Sequence, residues 1–196
     1  MGREIEYKLK AKSAQELTQK YEQLRDRFGK EAAERTIEMF TRYFDTPDGL
    51  LRDRRWTLRI RRENDRQVLT CKTPGEGYSR GEWEIVRETE EPAPTPDELR
   101  MLCENGAPEE LCVLTELRAV CGARFTRRCT MLELPGARVE LAADAGELFG
   151  PQEREPLFEL ELELYEGGFE TLIALAALAG LPEEPRSKQA RAMRLL

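Results

Sequence analysis

The chain has 196 residues, of which 40% are hydrophobic and 35% are charged, and its formal net charge is −7. These proportions predict a single domain over residues 1–196 that can bury a core, and the acidic balance argues against broad nonspecific binding to nucleic acid. The sequence contains no histidine, which excludes histidine zinc ligands, a phosphohistidine nucleophile and serine–histidine or cysteine–histidine pairs. Any chemistry must therefore use carboxylates, lysine, arginine and tyrosine.

The location is predicted from what the sequence lacks. No apolar run approaches the roughly 18 residues of a membrane span, and the first residues show neither the basic nor the apolar region of a signal peptide. We therefore expect a cytoplasmic protein that binds no membrane. The five cysteines are odd in number and form no C-x-x-C pair, so they predict buried thiols and neither a disulfide framework nor a zinc cage.

The first element is predicted from REIEYKLK (residues 3–10), in which charged and apolar side chains alternate. A period of two is typical of a strand with one apolar and one ionic face. The next segment predicts a helix, because Ser13 suits an N-cap and Gly29 suits a C-terminal stop. A strand through TIEMFTRYF then runs into a turn at DTPDG, where Tyr43 and Asp45 are expected to fix the turn.

The alternation returns in six later segments, WTLRIRRE, VLTCKT, SRGEWEIV, RFTRRCTMLEL, ARVELAADAG and LFELELELY. Their apolar phase is expected in the core, including Trp83 and Phe158. Between the third and fourth of them, EEPAPTPDELRMLCENGAPEELCVL predicts a proline-rich loop followed by a helix. After the last, GGFETLIALAALAGL predicts an apolar helix and SKQARAMRLL a terminal helical turn or tail.

The ionic faces of these strands are segregated by sign, with arginine and lysine on some and glutamate on others. Like charges two residues apart on one face repel, so such rows indicate a ligand with anionic and cationic parts. Two arrangements remain open. In a β-sandwich the ionic faces point to solvent. In a closed antiparallel barrel they point into a wet interior, where arginine and lysine suit phosphate and carboxylates suit Mg²⁺ or Mn²⁺.

EIEYK fits the signature E-x-E-x-K, and YFDTP, LRIRRE, LTCK, RGEWEI, VELAADAGE, ELELEL and SKQAR follow it in order. With these segments the chain resembles the CYTH domain, or triphosphate tunnel metalloenzyme, superfamily over nearly its whole length. The resemblance implies an α+β fold, an eight-stranded antiparallel β-barrel (tunnel) with helices packed on its outer face. It also implies that arginine and lysine bind a triphosphate inside the tunnel and that carboxylates bind one or two Mg²⁺ or Mn²⁺ ions.

The resemblance carries over to this sequence residue by residue. The expected catalytic residues, which also bind the substrate, are Lys8, Arg59, Arg61 and Lys72. Further substrate contacts are expected from Arg80, Arg127, Lys188 and Arg191. The expected metal ligands are Glu4, Glu6, Glu140, Asp144, Glu161 and Glu163. Other tunnel carboxylates are Glu82, Glu84 and Glu159, and a position at the rim or a structural role is left open for Glu159.

Two departures from the family pattern concern the region that closes over the substrate. CTML stands where an aromatic residue usually ends the strand after Arg127, and Ala192 stands where glycine is common.

One residue also serves as an internal reference, because Arg62 adjoins Arg61 in the opposite phase and is expected to face solvent.

The expected activity is hydrolysis of a phosphoanhydride bond of inorganic triphosphate, which yields pyrophosphate and phosphate with the help of a divalent cation. Thiamine triphosphatase and class IV adenylate cyclase activities need the same residue types and stay open as alternatives. So does a noncatalytic module that binds polyphosphate or a nucleotide. The expected partner is a small-molecule triphosphate and not a nucleic acid, and a homodimer is left open.

Overall fold

The computed structural model describes residues 2–29, 31–75 and 79–196, with the side chains of residues 2–4 and 79 outside that description. The strands are β1 (Gly2–Lys10), β2 (Arg35–Asp45), β3 (Thr57–Glu63), β4 (Arg66–Pro74), β5 (Ser79–Val86), β6 (Arg118–Leu134), β7 (Ala137–Phe149) and β8 (Arg154–Glu166). The α-helices are α1 (Ala14–Phe28), α2 (Leu50–Asp53), α3 (Pro96–Glu104), α4 (Phe169–Ala179) and α5 (Lys188–Ala192). Among the described residues, no helix is both long and apolar enough to cross a membrane.

The eight strands form one closed antiparallel barrel in the order β1-β5-β4-β3-β2-β6-β7-β8. Strand β1 closes it by pairing with β5 through residues 2–5 and with β8 through residues 6–10. The expected α+β architecture with an eight-stranded antiparallel barrel is therefore confirmed. The sandwich alternative is wrong, because a closed sheet turns the two faces of every strand to the inside and the outside of the same barrel.

The apolar faces of the strands point outward and are covered by helices. Helices α1 and α4 pack on β1, β7 and β8, where Leu17 and Leu172 join Leu160 in one buried cluster. Helix α3 covers β4 and β5, where Leu99 and Leu102 pack in a cluster with Trp83. Each such leucine contributes about 1.5 to 3 kcal/mol of hydrophobic stabilisation when fully buried. This outer packing leaves the ionic phase of the strands to face the interior.

Local signals near the start of the chain act as predicted. The Ser13 hydroxyl accepts a hydrogen bond from the Glu16 amide, and the Gly29 amide donates to the Arg25 carbonyl, so α1 begins and ends where expected. Asp45 fixes the turn after β2, because its carboxylate accepts from the amides of Thr46 at 2.8 Å and of Leu51 at 2.9 Å.

The five cysteines are all free thiols, as expected. Cys71, Cys121 and Cys129 are buried, but Cys112 is exposed. The expectation of buried thiols is therefore wrong at Cys112, which lies on the exposed side of the short 3-10 helix Glu109–Val113 after α3.

Candidate active site

The interior of the barrel is an ionic cavity closed on one side by α5. Two adjoining chambers share Arg59, Arg61, Arg127 and Glu163 in their walls. The other expected site residues in these walls are Glu6, Lys8, Lys72, Arg80, Glu82, Glu84, Glu140, Glu161 and Lys188. The exposed side chain of Arg62 faces away from the cavity, as its phase predicts. The backbone of Glu4 pairs with Arg80, but its side chain lies outside the described part.

One side of the cavity, here called the basic wall, consists of Arg59, Arg61, Lys72 and Arg80 on β3, β4 and β5. The backbone register places Arg59 opposite Thr70, whose short side chain leaves room between the longer basic ones. On β3 and β4 the basic side chains occupy the inward-pointing positions of each strand, so they converge on the same space.

The basic wall has carboxylate neighbours, but several lie at long distance. Lys72 Nζ lies 3.1 Å from Glu82, whereas Arg59 Nη2 lies 3.7 Å from the same carboxylate. Arg61 Nη2 lies 2.5 Å from Glu63 and 3.8 Å from Glu84.

Arg61 has an unused donor. Its Nε is buried and has no hydrogen-bond partner within the described ranges. Burial and the neighbouring charge of Arg59 lower the pKa of the Arg61 guanidinium, against a smaller opposing effect of Glu63. An anion in the cavity would supply the missing acceptor and relieve the repulsion between the two arginines.

Three carboxylates on the opposite side form a row across adjacent strands, here called the carboxylate row. Glu140 of β7 is paired in register with Glu163 of β8, and Glu163 with Glu6 of β1. Glu6 accepts from Lys8 Nζ at 2.9 Å, and Glu140 from Arg35 Nη2 at 2.6 Å. Burial lowers the pKa of Lys8, but the charge of Glu6 and of its neighbours raises it further, so the ammonium stays protonated.

A second group of carboxylates, here called the inner cluster, consists of Asp144, Glu159 and Glu161. One carboxylate oxygen from each lies within 4.8 Å of the others, and no other such trio occurs in the described part of the chain. Glu159 is fully buried, so a position at the rim is wrong. Its inward phase on β8 places it beneath α5.

Cations fill the inner cluster. Lys188 Nζ lies 2.8 Å from Asp144 and 2.6 Å from Glu161, and it also contacts Glu159. Arg127 donates two hydrogen bonds of 2.7 Å to Asp144 and one further bond to Glu161. These contacts hold Lys188 and Arg127 on carboxylates at one side of the cavity.

The carboxyl groups of the inner cluster differ in acidity. Burial raises the pKa of Glu159 to about 7, against the opposing charge of Lys188. The pKa of Glu161 is well below its usual range, because Lys188 and Arg127 outweigh the effect of burial. Both groups of carboxylates offer the hard oxygen ligands that Mg²⁺ and Mn²⁺ prefer, so the residues fit a divalent cation.

Several residues line the cavity that the site assignment did not include. They are Thr41, Tyr43, Thr57, Phe125, Ser187 and Gln189. The expectation that Tyr43 fixes the turn is wrong, since Asp45 does so and Tyr43 lies in the cavity wall. The alternation in β2 predicts that Thr41 and Tyr43 point inward, because they alternate with outward residues. Burial raises the pKa of Tyr43, so its phenol stays neutral.

Arg191 lies outside both chambers. Its side chain is buried, and its guanidinium contacts Glu155 at 2.9 Å and Glu159 at 3.1 Å. The structure therefore places Arg191 behind the inner cluster and not in the cavity wall.

A sequence profile of the CYTH domain matches residues 2–191, and the chain belongs to this family. An inorganic triphosphatase of Haemophilus influenzae is 31% identical over 134 residues, which cover 66% of this chain. The matched stretch covers only 37% of that relative, so the chain spans well under half of its length.

Solved structures share the fold at low identity. A Hippeastrum protein assigned as an adenylyl cyclase, with a dominant triphosphatase activity, has a TM-score of 0.61 and 22% identity over 99% of this chain and 95% of its own. The triphosphatase of the Mimivirus capping enzyme has a TM-score of 0.55 and 12% identity over 92% of this chain and 88% of its own. At these identities the likeness shows the fold alone.

Proposed function

We propose that this CYTH protein is a divalent-cation-dependent hydrolase that cleaves inorganic triphosphate to pyrophosphate and phosphate. The main support is that a basic wall with a buried, unused Arg61 donor lines the same cavity as the carboxylates Glu6, Glu140, Glu161 and Glu163. Phosphoryl transfer needs positioning and charge neutralisation more than covalent chemistry, and such a cavity supplies both. The similarity to the Haemophilus influenzae inorganic triphosphatase supports the choice of substrate.

The basic wall would bind the phosphate oxygens. Arg59 and Arg61 present guanidinium groups from one strand, and Lys72 presents an ammonium from the next. Guanidinium groups suit adjacent phosphate oxygens because they donate two hydrogen bonds in a fixed geometry. As the anhydride bond breaks, the charge that develops on the leaving phosphate is stabilised by donors already in place.

The carboxylate row, together with Glu4, would hold Mg²⁺ or Mn²⁺, and the chemistry that the ion supplies is neutralisation of the phosphate charge during bond cleavage. Lys8 lies beside this row. Its Nζ lies 2.9 Å from Glu6, and as an ammonium it would donate a hydrogen bond to the phosphate.

The test is phosphate release from tripolyphosphate, ATP and thiamine triphosphate, each with Mg²⁺, Mn²⁺ or EDTA, with cyclic AMP measured in parallel. We expect tripolyphosphate to be the best substrate by kcat/KM, and only with a metal. A higher kcat/KM for thiamine triphosphate, or formation of cyclic AMP from ATP, would assign the corresponding alternative. Binding of tripolyphosphate without release of phosphate would indicate a noncatalytic module.

A further inference from the structure

The ammonium of Lys188 lies where a cation is bound by three carboxylates. Asp144 and Glu159 are fully buried, Glu161 is nearly so, and Lys188 contacts all three. We propose that Lys188 is the resident cation of the inner cluster. Its ammonium takes the place of a divalent ion there and confines the metal to the carboxylate row while α5 is docked. This inference deepens the proposed function and rests on it for the identity of the metal.

The balance of charge supports this role. With all groups ionised, the inner cluster carries three negative charges, and three cations contact it, namely Lys188, Arg127 and Arg191. Because Arg191 also contacts Glu155 at 2.9 Å, the charge of the three carboxylates is compensated mainly by Lys188 and Arg127. A divalent ion added beside the ammonium would also lie within a few ångströms of it in a poorly solvated space, where like charges repel strongly.

Loss of Lys188 would reverse this balance. The three carboxylates would then lose the one cation that contacts all of them, and the position of the ammonium would become available. Their oxygens already lie within 4.8 Å of one another, a spacing from which all three can bind one ion. The position is therefore suited to one cation at a time, either the ammonium or the metal.

Lys188 reaches the cluster because α5 is held from several directions. Ser187 caps the helix by accepting from the Ala190 amide at 3.1 Å, and Gln189 is hydrogen-bonded to Thr57 of β3. Ala192 is buried in a cluster with Phe125 of β6. These contacts position the ammonium, so the occupancy of the inner cluster depends on the docking of α5 against the opposite side of the barrel.

The carboxylate row differs in how its charge is compensated. Arg35, which contacts Glu140, has a side chain that is 61% exposed. Water and salt screen such a pair, whereas Lys188 is only 10% exposed. A second protein cation at the row, Lys8, is 12% exposed and contacts Glu6 at 2.9 Å, whereas Lys188 contacts every carboxylate of the inner cluster.

The test is Mn²⁺ binding to the whole chain at pH 8 without any triphosphate, with free Mn²⁺ measured by electron paramagnetic resonance. We expect Lys188→Met to bind one more Mn²⁺ per chain than the parent, or to bind Mn²⁺ at least tenfold more tightly. Lys188→Arg should bind like the parent, because it restores the cation. Arg186→Met is the matched control, since it removes one positive charge from the same segment but from a pair with Glu184.

Circular dichroism must show that each variant is folded. A second measurement needs no variant, namely anomalous diffraction from parent crystals grown with Mn²⁺. We expect the parent to hold Mn²⁺ between Glu6, Glu140 and Glu163. An Mn²⁺ ion among Asp144, Glu159 and Glu161 with α5 docked would overturn the inference. So would the same stoichiometry and affinity in folded Lys188→Met and the parent.

These readouts are independent of catalysis. If the chain hydrolyses no triphosphate but Lys188→Met gains a metal, the proposed function fails and the role of Lys188 stands. If tripolyphosphate is hydrolysed with a metal but Lys188→Met binds Mn²⁺ like the parent, the function stands and the role of Lys188 fails.

Discussion

The basic wall and the inner cluster lie in the same barrel, yet their charges are satisfied to different degrees. In the inner cluster, Lys188 and Arg127 contact Asp144 at 2.7 to 2.8 Å. On the basic wall, Arg61 has Glu63 at 2.5 Å and Lys72 has Glu82 at 3.1 Å, but the buried Nε of Arg61 has no hydrogen-bond partner in the described part of the chain. The carboxylates of the inner cluster have their counterions within the protein. The basic wall is the part of the cavity that an anion would complete.

Two buried arginines show the same contrast. Burial disfavours the charged form of both, but Asp144 and Glu161 raise the pKa of Arg127 well above its ordinary value. At Arg61, the charge of Arg59 adds to the effect of burial, and the pKa is lowered. Residue type therefore does not decide the state of an arginine in this interior. The balance between burial and the charges of all its neighbours does.

The largest expected effect comes from removal of the metal. Excess EDTA should lower kcat/KM for tripolyphosphate by at least about 100-fold, since a bound ion contributes several kcal/mol of charge stabilisation in the transition state. Phosphate release before and after EDTA, followed by readdition of Mn²⁺, measures this. Undiminished activity in EDTA would mean that the basic wall and Lys188 suffice without a metal.

Arg61→Ala should have the next largest effect. Loss of a donor from a site where charge develops costs about 2 to 4 kcal/mol, which is roughly 30-fold to 1,000-fold in kcat/KM. Arg62→Ala is the matched control, because it removes the same side chain from the outer face of the same strand. If both variants keep the activity of the parent, the basic wall does not bind the reacting phosphate.

Ligand should stabilise the fold through the basic wall. Tripolyphosphate with Mg²⁺ at about 100 times its dissociation constant should add roughly 2.7 kcal/mol to the free energy of unfolding. Differential scanning calorimetry should show a higher Tm for the parent and for Arg62→Ala, and a smaller increase for Arg61→Ala at the same ligand concentration. Equal increases in all three proteins would place the bound ligand away from Arg61.

Tyr43→Phe should have the smallest effect. The phenol is neutral and lies in the cavity wall, so its loss would remove at most one ordinary hydrogen bond to the ligand. Such a bond contributes about 0.5 to 1.5 kcal/mol, or a change of up to roughly tenfold in kcat/KM. A loss as large as that expected for Arg61→Ala would mean that Tyr43 contacts the group that reacts.

Sequence reasoning located the elements and their phases well, because both depend on near neighbours in the chain. The cap at Ser13, the outward phase of Arg62 and the helical turn near Lys188 all follow from local signals, and the structure contains them. Local signals fail where the partners are distant along the chain. Tyr43 adjoins a turn in the sequence but lies in the cavity wall, and Glu159 begins its segment but is fully buried beneath α5.

By itself the sequence determined that these strands have one ionic and one apolar face, because a period of two is a local property of an extended chain. Only the tertiary structure decided which face points inward and which charges meet. Closure of the barrel by β1 and docking of α5 bring Lys188 into contact with carboxylates of β7 and β8. One of these carboxylates, Glu161, lies 27 residues before Lys188 in the chain. Electrostatic attraction depends on distance through space, and the order of residues along the chain does not contain that distance.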